Sequence, residues 1–497
     1  MQGARTTRGC LKCRHIKKGC DLRKPACGRC ARLGLACTYE ERQFTFVSKT
    51  AQAPSSSSRA SSSGPTTLVG GSQGSLARTD SDLVTVAAFW DVYLPREDPA
   101  LDGSLGGVLS APWILTVRAL ARQKDDVETA LQACAFAGFG WMTDNTAFVQ
   151  RGLCLYGKAL SRTNAALQDP SLAIKDEVLA SCRVLSLFEM LNQGHSTNGP
   201  DQIKSWQNHI VGATKMVQLR GFDRHVSGHG LDLYDSVRIT AVIQGIARRA
   251  PNAFLELDWS PPQVTLRDWL YNIAGGLPRL LQTMDQLCAR IEVLGSHDEG
   301  TAKRTVNLAQ SVIVRTLALG GMLRDWETEA LDLCRQKASS SSTSDCDSHW
   351  HDLVNQVQLL DVCTSHGDGF FSACVQYWTF SIKTYSSARV FHRRIIELLE
   401  LKMGGAQLAL QPLPTWVDPE PHALNIASTA SHFFRPEAGL WGAQCAVFPV
   451  GSALFYFAAT GRRESEPFRM LTSSFAQRKT GAVMRDFLDK IVNSGGR

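Results

Sequence analysis

Six cysteines crowd into residues 10–37: Cys10, Cys13, Cys20, Cys27, Cys30 and Cys37. They form a C-x2-C-x6-C unit that repeats after a six-residue connector. A C-x2-C pair can set two thiolates on one metal at the first turn of a helix, and the third cysteine closes from beyond its end. Zinc takes four ligands in a tetrahedron, so six cysteines cannot serve two zinc ions separately. They can if two thiolates bridge both ions. The internal repeat nominates the first cysteine of each unit, Cys10 and Cys27, as the bridges. Two zinc ions on six thiolates leave a net charge of −2, too little to cancel the basic residues woven between the cysteines. A disulfide framework is the competing use of such a cluster. The start, MQGARTTRGC, has no apolar export segment, which implies a reducing compartment and favours metal.

The charge is as uneven as the cysteines. Residues 1–45 hold eleven Lys and Arg against three Asp and Glu, while the other 452 residues hold 42 against 43. A basic terminus on a neutral body suggests a polyanionic partner. Arg14, Lys17 and Lys18 stand at i, i+3 and i+4, which puts them on one face of a helix. Gly19 can end that helix just before Cys20. Ile16 and Leu33 occupy equivalent places in the two repeats, three residues after Cys13 and Cys30, as packing residues would. The same basic run suits nuclear import.

The six cysteines, Arg14, Lys17, Asp21 and the Lys24-Pro25 turn resemble the fungal zinc binuclear cluster family of transcription factors. The resemblance covers about 30 residues. It implies a cofactor of two zinc ions per chain, and two short helices related by a pseudo-twofold axis. It also implies that the first helix points its C-terminal end into the major groove of double-stranded DNA, at CGG-type sites. Lys17 then falls at the base-contacting position, and Arg14 and Lys18 on the same face are assigned to phosphates. Ile16 and Gly19 stand where the family usually has basic residues, so Lys18 is a second candidate reader. The implied function is sequence-specific regulation of RNA polymerase II transcription in the nucleus of a fungus, with the transcription machinery as a further partner.

What must position this module is legible in composition. Residues 46–80 are rich in Ser and Gly, with Pro54 and Pro65, and read as a flexible linker. Residues 81–497 read as a large all-α regulatory domain, with a Ser-rich loop at 337–348, so that the whole is mainly α. Helices are expected at 83–95, ending at Pro95, and at 146–168, with Phe148, Leu155, Tyr156, Ala159, Leu160 and Leu167 near one face. Others are expected at 176–191, apolar almost all round, and at 205–221, closed by Gly221. The stretch WQNHIVGATKMVQLRG within this last helix resembles a pattern in the helical regulatory domains that follow such clusters. His209 within it reads as a satisfied core histidine. Residues 438–461 are uncharged but contain Pro449 and read as a buried helix pair rather than a membrane span. No membrane partner is expected.

Enzymatic signals are weak. Gly70 to Gly74 matches the form of a nucleophile elbow around Ser72, but the stretch sits in low complexity without the strand the elbow needs. Cys346, His349 and His351 lack a fourth metal ligand. The chain is therefore expected not to be an enzyme, and a pathway-specific regulator of a metabolic gene cluster is the finer expectation. An enzyme with a zinc-binding appendage, or a zinc-stabilised protein-interaction module, is the alternative. Residues 38–80 carry no sustained heptads, so any dimerisation is expected through the helical body.

Overall fold

The computed structural model describes residues 10–15, 20–21, 26–37, 72–96, 112–191, 199–251, 255, 265–293, 299–341, 358–403, 410–476 and 485. The chain divides into two compact units, Met1–Thr45 and Phe46–Arg497. Every regular element among the described residues is helical. The first unit holds α1 (Leu11–His15) and α2 (Gly28–Arg32).

The second unit begins with α3 (Ser72–Tyr93), α4 (Pro112–Ala121), α5 (Asp125–Met142), α6 (Thr146–Leu167), α7 (Pro170–Ala173), α8 (Asp176–Leu191) and α9 (Gly199–Arg220). It continues with α10 (Gly228–Arg248), α11 (Leu266–Gly275), α12 (Leu277–Val293), α13 (Glu299–Ser341), α14 (Leu359–Val362) and α15 (Gly367–Met403). The last three are α16 (Glu420–Thr429), α17 (Gly439–Ala459) and α18 (Glu466–Ala476). Helix α5 packs most extensively on α6 and α8. Helix α15 is the axle of the later half, touching α11, α12, α13, α16 and α17. Helix α10 packs on members of both groups, and one apolar core runs from Phe89 to Phe475.

Local chemistry explains where the helices stop and how they lock. Asn145 caps α6 by accepting from the amides of Ala147 and Phe148. Thr265 and Asp268 form a capping box at the start of α11. The same Asp268 takes a hydrogen bond from Arg238 of α10 at 3.0 Å, with both side chains buried. The Trp326 indole of α13 donates to the Leu266 carbonyl at 2.7 Å and stacks on Tyr377, with ring centroids 5.2 Å apart. The Tyr93 hydroxyl, at the end of α3, donates to Gln444 Oε1 of α17 at 2.6 Å, which ties the first helix of this unit to one of its last.

Several expectations shift. Helix α3 starts at Ser72, so residues 72–80 are helical although composition places them in the linker. The rest of that stretch, 46–71, lies outside the described residues. In α6 the fully buried stripe is Val149, Gly152, Tyr156, Ala159 and Thr163. Phe148, Leu155, Leu160 and Leu167 flank it half-buried, because small residues let α5 approach along the stripe itself. Helix α8 is buried on nearly all sides, and α9 ends at Arg220, directly before Gly221. Residues 439–459 form one helix with Pro449 inside it, where a pair was expected. Among the described residues two helical stretches, 303–336 and 436–459, have the length and composition to cross a bilayer. The second forms much of the core, with 61% of its most apolar window buried. Helix α13 runs to Ser341, so 337–341 are helical, and 342–357, with Cys346, His349 and His351, lie outside the described residues.

Candidate zinc centre and nucleic-acid interface

Among its described residues the cysteine unit has almost no apolar core besides its cysteines. Those buried there are Cys10, Cys13, Cys27 and Cys30, with Cys20, Leu35 and Cys37 packed against them. Its backbone repeats at an offset of 17 residues. The amide of Cys13 donates to Cys10 Sγ at 3.4 Å, and that of Cys30 donates to Cys27 Sγ at 3.3 Å. The amide of Cys10 donates to Cys20 Sγ at 3.4 Å, and that of Cys27 donates to Cys37 Sγ at 3.2 Å. The sulfur separations obey the same symmetry. Cys10 lies 3.7 Å from Cys30, and Cys27 lies 3.8 Å from Cys13. The two equivalent first cysteines, Cys10 and Cys27, lie 3.8 Å from each other.

These distances test the site for zinc. A tetrahedron with Zn–S bonds of about 2.3 Å has S···S edges of about 3.8 Å. Two sets of four sulfurs lie within 4.8 Å of one another: Cys10, Cys13, Cys20 and Cys27, and Cys10, Cys27, Cys30 and Cys37. The donor set is all thiolate, and none of the described cysteines is disulfide-bonded. The residues fit zinc. The two sets share Cys10 and Cys27, the pair that the sequence repeat nominates.

The electrostatics separate the shared sulfurs from their neighbours. The Cys13 amide holds the Cys10 thiol below its ordinary pKa, and the Cys30 amide does the same for Cys27. Burial raises Cys13, to about 12, and raises Cys30 as well. Of the four buried sulfurs, the two common to both sets are thus the ones favoured as thiolates.

Helix α2 shows how a 5-residue helix is held in place. Cys27 is its N-cap, and Asp21 accepts from the Gly28 amide through both carboxylate oxygens, at 3.0 and 3.1 Å. A Cβ on Gly28 would stand 2.6 Å from Asp21 Oδ2, so only glycine allows this approach. At the other end Gly34 takes φ 61°. Its amide bonds to the Ala31 carbonyl and that of Leu35 to the Cys30 carbonyl, a Schellman closure. The chain then turns back to deliver Cys37 to the cluster.

Arg14 lies on α1, and its side chain is outside the described residues, as are Lys17 and Lys18. Ile16, Gly19 and the Lys24-Pro25 turn also lie outside them. The described basic groups add to the reading. Lys12 and His15 are exposed on α1, and Arg32 is exposed on α2. None of these three was singled out from the sequence, although the alternation of basic residues with cysteines carries all of them.

Residues 8–44 match the family model of the fungal Zn(2)-Cys(6) binuclear cluster domain. The chain carries a fungal zinc binuclear cluster domain. Zinc binding, DNA binding and transcription regulation are the properties of that domain. An uncharacterized protein of Emericella nidulans is 33% identical over 105 residues, which is 21% of each chain. The chain thus spans about a fifth of the length of that relative. No solved structure matches.

In the helical unit the structure puts His209 in the core, 3% exposed, where its Nε2 lies 3.1 Å from the Tyr156 hydroxyl. That hydroxyl donates to Glu189 Oε1 at 2.6 Å. Burial lowers His209 to about 3 and raises Glu189 to about 7. The group is a buried polar knot joining α6, α8 and α9, with its imidazole uncharged near neutral pH. Sequence reading found the histidine but not its partners, which lie 53 and 20 residues away. Ser72 is the first residue of α3, with no strand before it among the described residues.

Proposed function

We propose that the chain is a sequence-specific regulator of RNA polymerase II transcription in a fungal nucleus, with the cluster domain as its DNA reader and the helical unit as its regulatory body. The supporting observation is the pair of four-sulfur sets that share Cys10 and Cys27, on a stretch that matches a DNA-binding domain family. On this reading two zinc ions are held, with Cys10 and Cys27 bridging, Cys13 and Cys20 completing one site and Cys30 and Cys37 the other. The metal is structural: it replaces a core too small to form and fixes the helix that faces DNA. A pathway-specific role in a metabolic gene cluster remains the finer form of the proposal, and CGG-type triplets the expected sites. The reading is of a regulator rather than an enzyme.

Lys17 is assigned to guanine O6 and N7, and Arg14 and Lys18 to phosphates, which orient the module without reading sequence. The test is the ratio of specific to non-specific affinity at fixed salt, measured on the zinc-loaded full chain. Lys17→Ala should cost ~1–3 kcal/mol on the preferred site and little on random DNA. Arg14→Ala should weaken both and flatten the salt dependence by about one ion. A ratio unchanged in Lys17→Ala but collapsed in Lys18→Ala would move the reading role to Lys18. No salt-dependent DNA binding at all would leave a zinc-stabilised protein-interaction module.

A further inference from the structure

The helical unit contains a cavity of about 1380 Å³. Its walls come from α8, α9, α10, α12, α15 and α17, elements far apart in sequence. Sites for drug-sized ligands are about 300–1,000 Å³, so the space admits a ligand with a substantial body. Much of the wall is apolar, including Trp206, Ile239, Ile243, Met284 and Phe448. Its charged groups are not balanced: eight cationic side chains face four carboxylates.

Six of those cations are already paired. Arg249 binds Asp285, Arg267 binds Asp235, and Arg462 binds Glu420. Arg389 binds Asp418, Arg394 binds Glu292, and Arg393 reaches Glu397. Arg183 and Lys383 have no carboxylate partner among the described residues. Arg183 is 5% exposed. Its Nε donates to Ser236 Oγ at 3.0 Å and its Nη1 to Ser186 Oγ at 2.7 Å, while its guanidinium lies over the Trp113 ring at 4.9 Å. Its Nη2 makes no hydrogen bond among the described residues.

The neighbours of Arg183 cannot neutralise it. Burial raises Tyr93 well above the ordinary tyrosine range and Cys182 to about 12, so both stay protonated. Arg183 itself is lowered only to about 10 and remains a cation at neutral pH. A buried charge without a counter-charge is costly to folding, and a guanidinium matches a planar carboxylate. Lys383 adds a second uncompensated cation on α15, its Nζ 5.4 Å from the Phe455 ring centroid.

We infer that this cavity binds an organic acid, its carboxylate on Arg183 and its apolar body along the wall formed by Trp206, Ile239, Ile243 and Phe448. This site is separate from the cysteine unit, and its test uses no DNA, so it stands or falls apart from the DNA-binding reading.

The test compares two probes of one shape by calorimetry on the zinc-loaded full chain: biphenyl-4-carboxylate and the neutral biphenyl-4-carboxamide. The acid is expected to bind at least about tenfold more tightly than the amide. Arg183→Met should erase that preference and leave amide affinity within about twofold. It should also melt no lower than the parent, because Ser186 and Ser236 keep their own bonds to the Arg183 and Leu233 carbonyls. Equal affinity for acid and amide, no binding of either at millimolar concentration, or an acid preference intact in Arg183→Met would overturn the proposal. Should Arg183→Met not fold, Arg183→Gln decides: a lost acid preference supports the site, and an intact one overturns it.

Discussion

The two units solve the same problem with opposite materials. Among the described residues the cysteine unit buries four cysteines and has its sulfurs at metal-ligand spacing, while the helical unit buries a large core that runs from Phe89 to Phe475. In the first, burial converges on the sulfurs, so a change at a shared sulfur reaches both four-sulfur sets. In the second, stability is spread over scores of side chains worth ~1.5–3 kcal/mol each when buried. The comparison teaches where each unit is fragile: the first in its chemistry, the second in its packing.

The sharpest way to separate them is to remove metal. Structural zinc contributes ~10–16 kcal/mol of apparent binding energy in small zinc domains, so a strong chelator should abolish DNA binding and the fold of residues 10–37. The thermal transition of the helical unit should not move. Zinc analysis of variants refines this: Cys27→Ala should deplete both ions and Cys37→Ala mainly one. One zinc per parent chain would break the shared-ligand reading.

The reverse experiment attacks packing. Trp326→Ala empties a fully buried position and takes the indole donor from the Leu266 carbonyl. A loss of ~3–5 kcal/mol is expected for the helical unit, read by urea unfolding, with zinc content unchanged.

A smaller effect depends on pH. Glu189 is raised to about 7 in the folded state, above its ordinary value. A carboxyl raised in this way favours the native state at low pH, and that stability is lost as pH rises through about 7. Glu189→Gln keeps an acceptor for Tyr156 and removes the titration. Relative to the parent, it should gain on the order of 2–3 kcal/mol between pH 4.5 and pH 8. His209, lowered to about 3, titrates in the opposite sense in both proteins and cancels from the difference. Urea midpoints at the two pH values measure it. DNA binding at constant zinc should not follow this dependence.

The smallest change returns to the first unit. Asp21→Ala removes the acceptor of the Gly28 amide at the start of α2. Zinc affinity by chelator competition should fall between about twofold and thirtyfold, the range of lost helix caps.

Legibility follows the same division. The cysteine unit could be read because its ligands are local: their spacing is the repeat, and the repeat is the symmetry of the amide–sulfur bonds. The Asp21 cap was half-visible, as a residue noted without the Gly28 contact that explains it. In the helical unit, periodicity located α8 and the end of α9 but misjudged the stripe on α6, since close helix approach at Gly152 depends on α5 rather than on α6. A continuous helix through Pro449 was missed because propensity opposes it and only surrounding burial permits it. The unpaired charge on Arg183 could not be read at all. It is defined by the absence of carboxylates on helices that meet only in three dimensions.

The bond between Tyr93 and Gln444 spans 351 residues, and this sets a timetable for synthesis. A ribosome adding about 5–20 residues per second leaves roughly 20–70 s between these two side chains. Helix α5 covers much of α3 soon after it emerges, but the end of α3 at Tyr93 waits through that interval for α17. The cysteine segment needs no such wait, since its last ligand is residue 37. The nascent chain can thus close its cysteine segment early and leaves the Tyr93 end of α3 uncovered until late, which makes the helical unit the part that calls for chaperone protection.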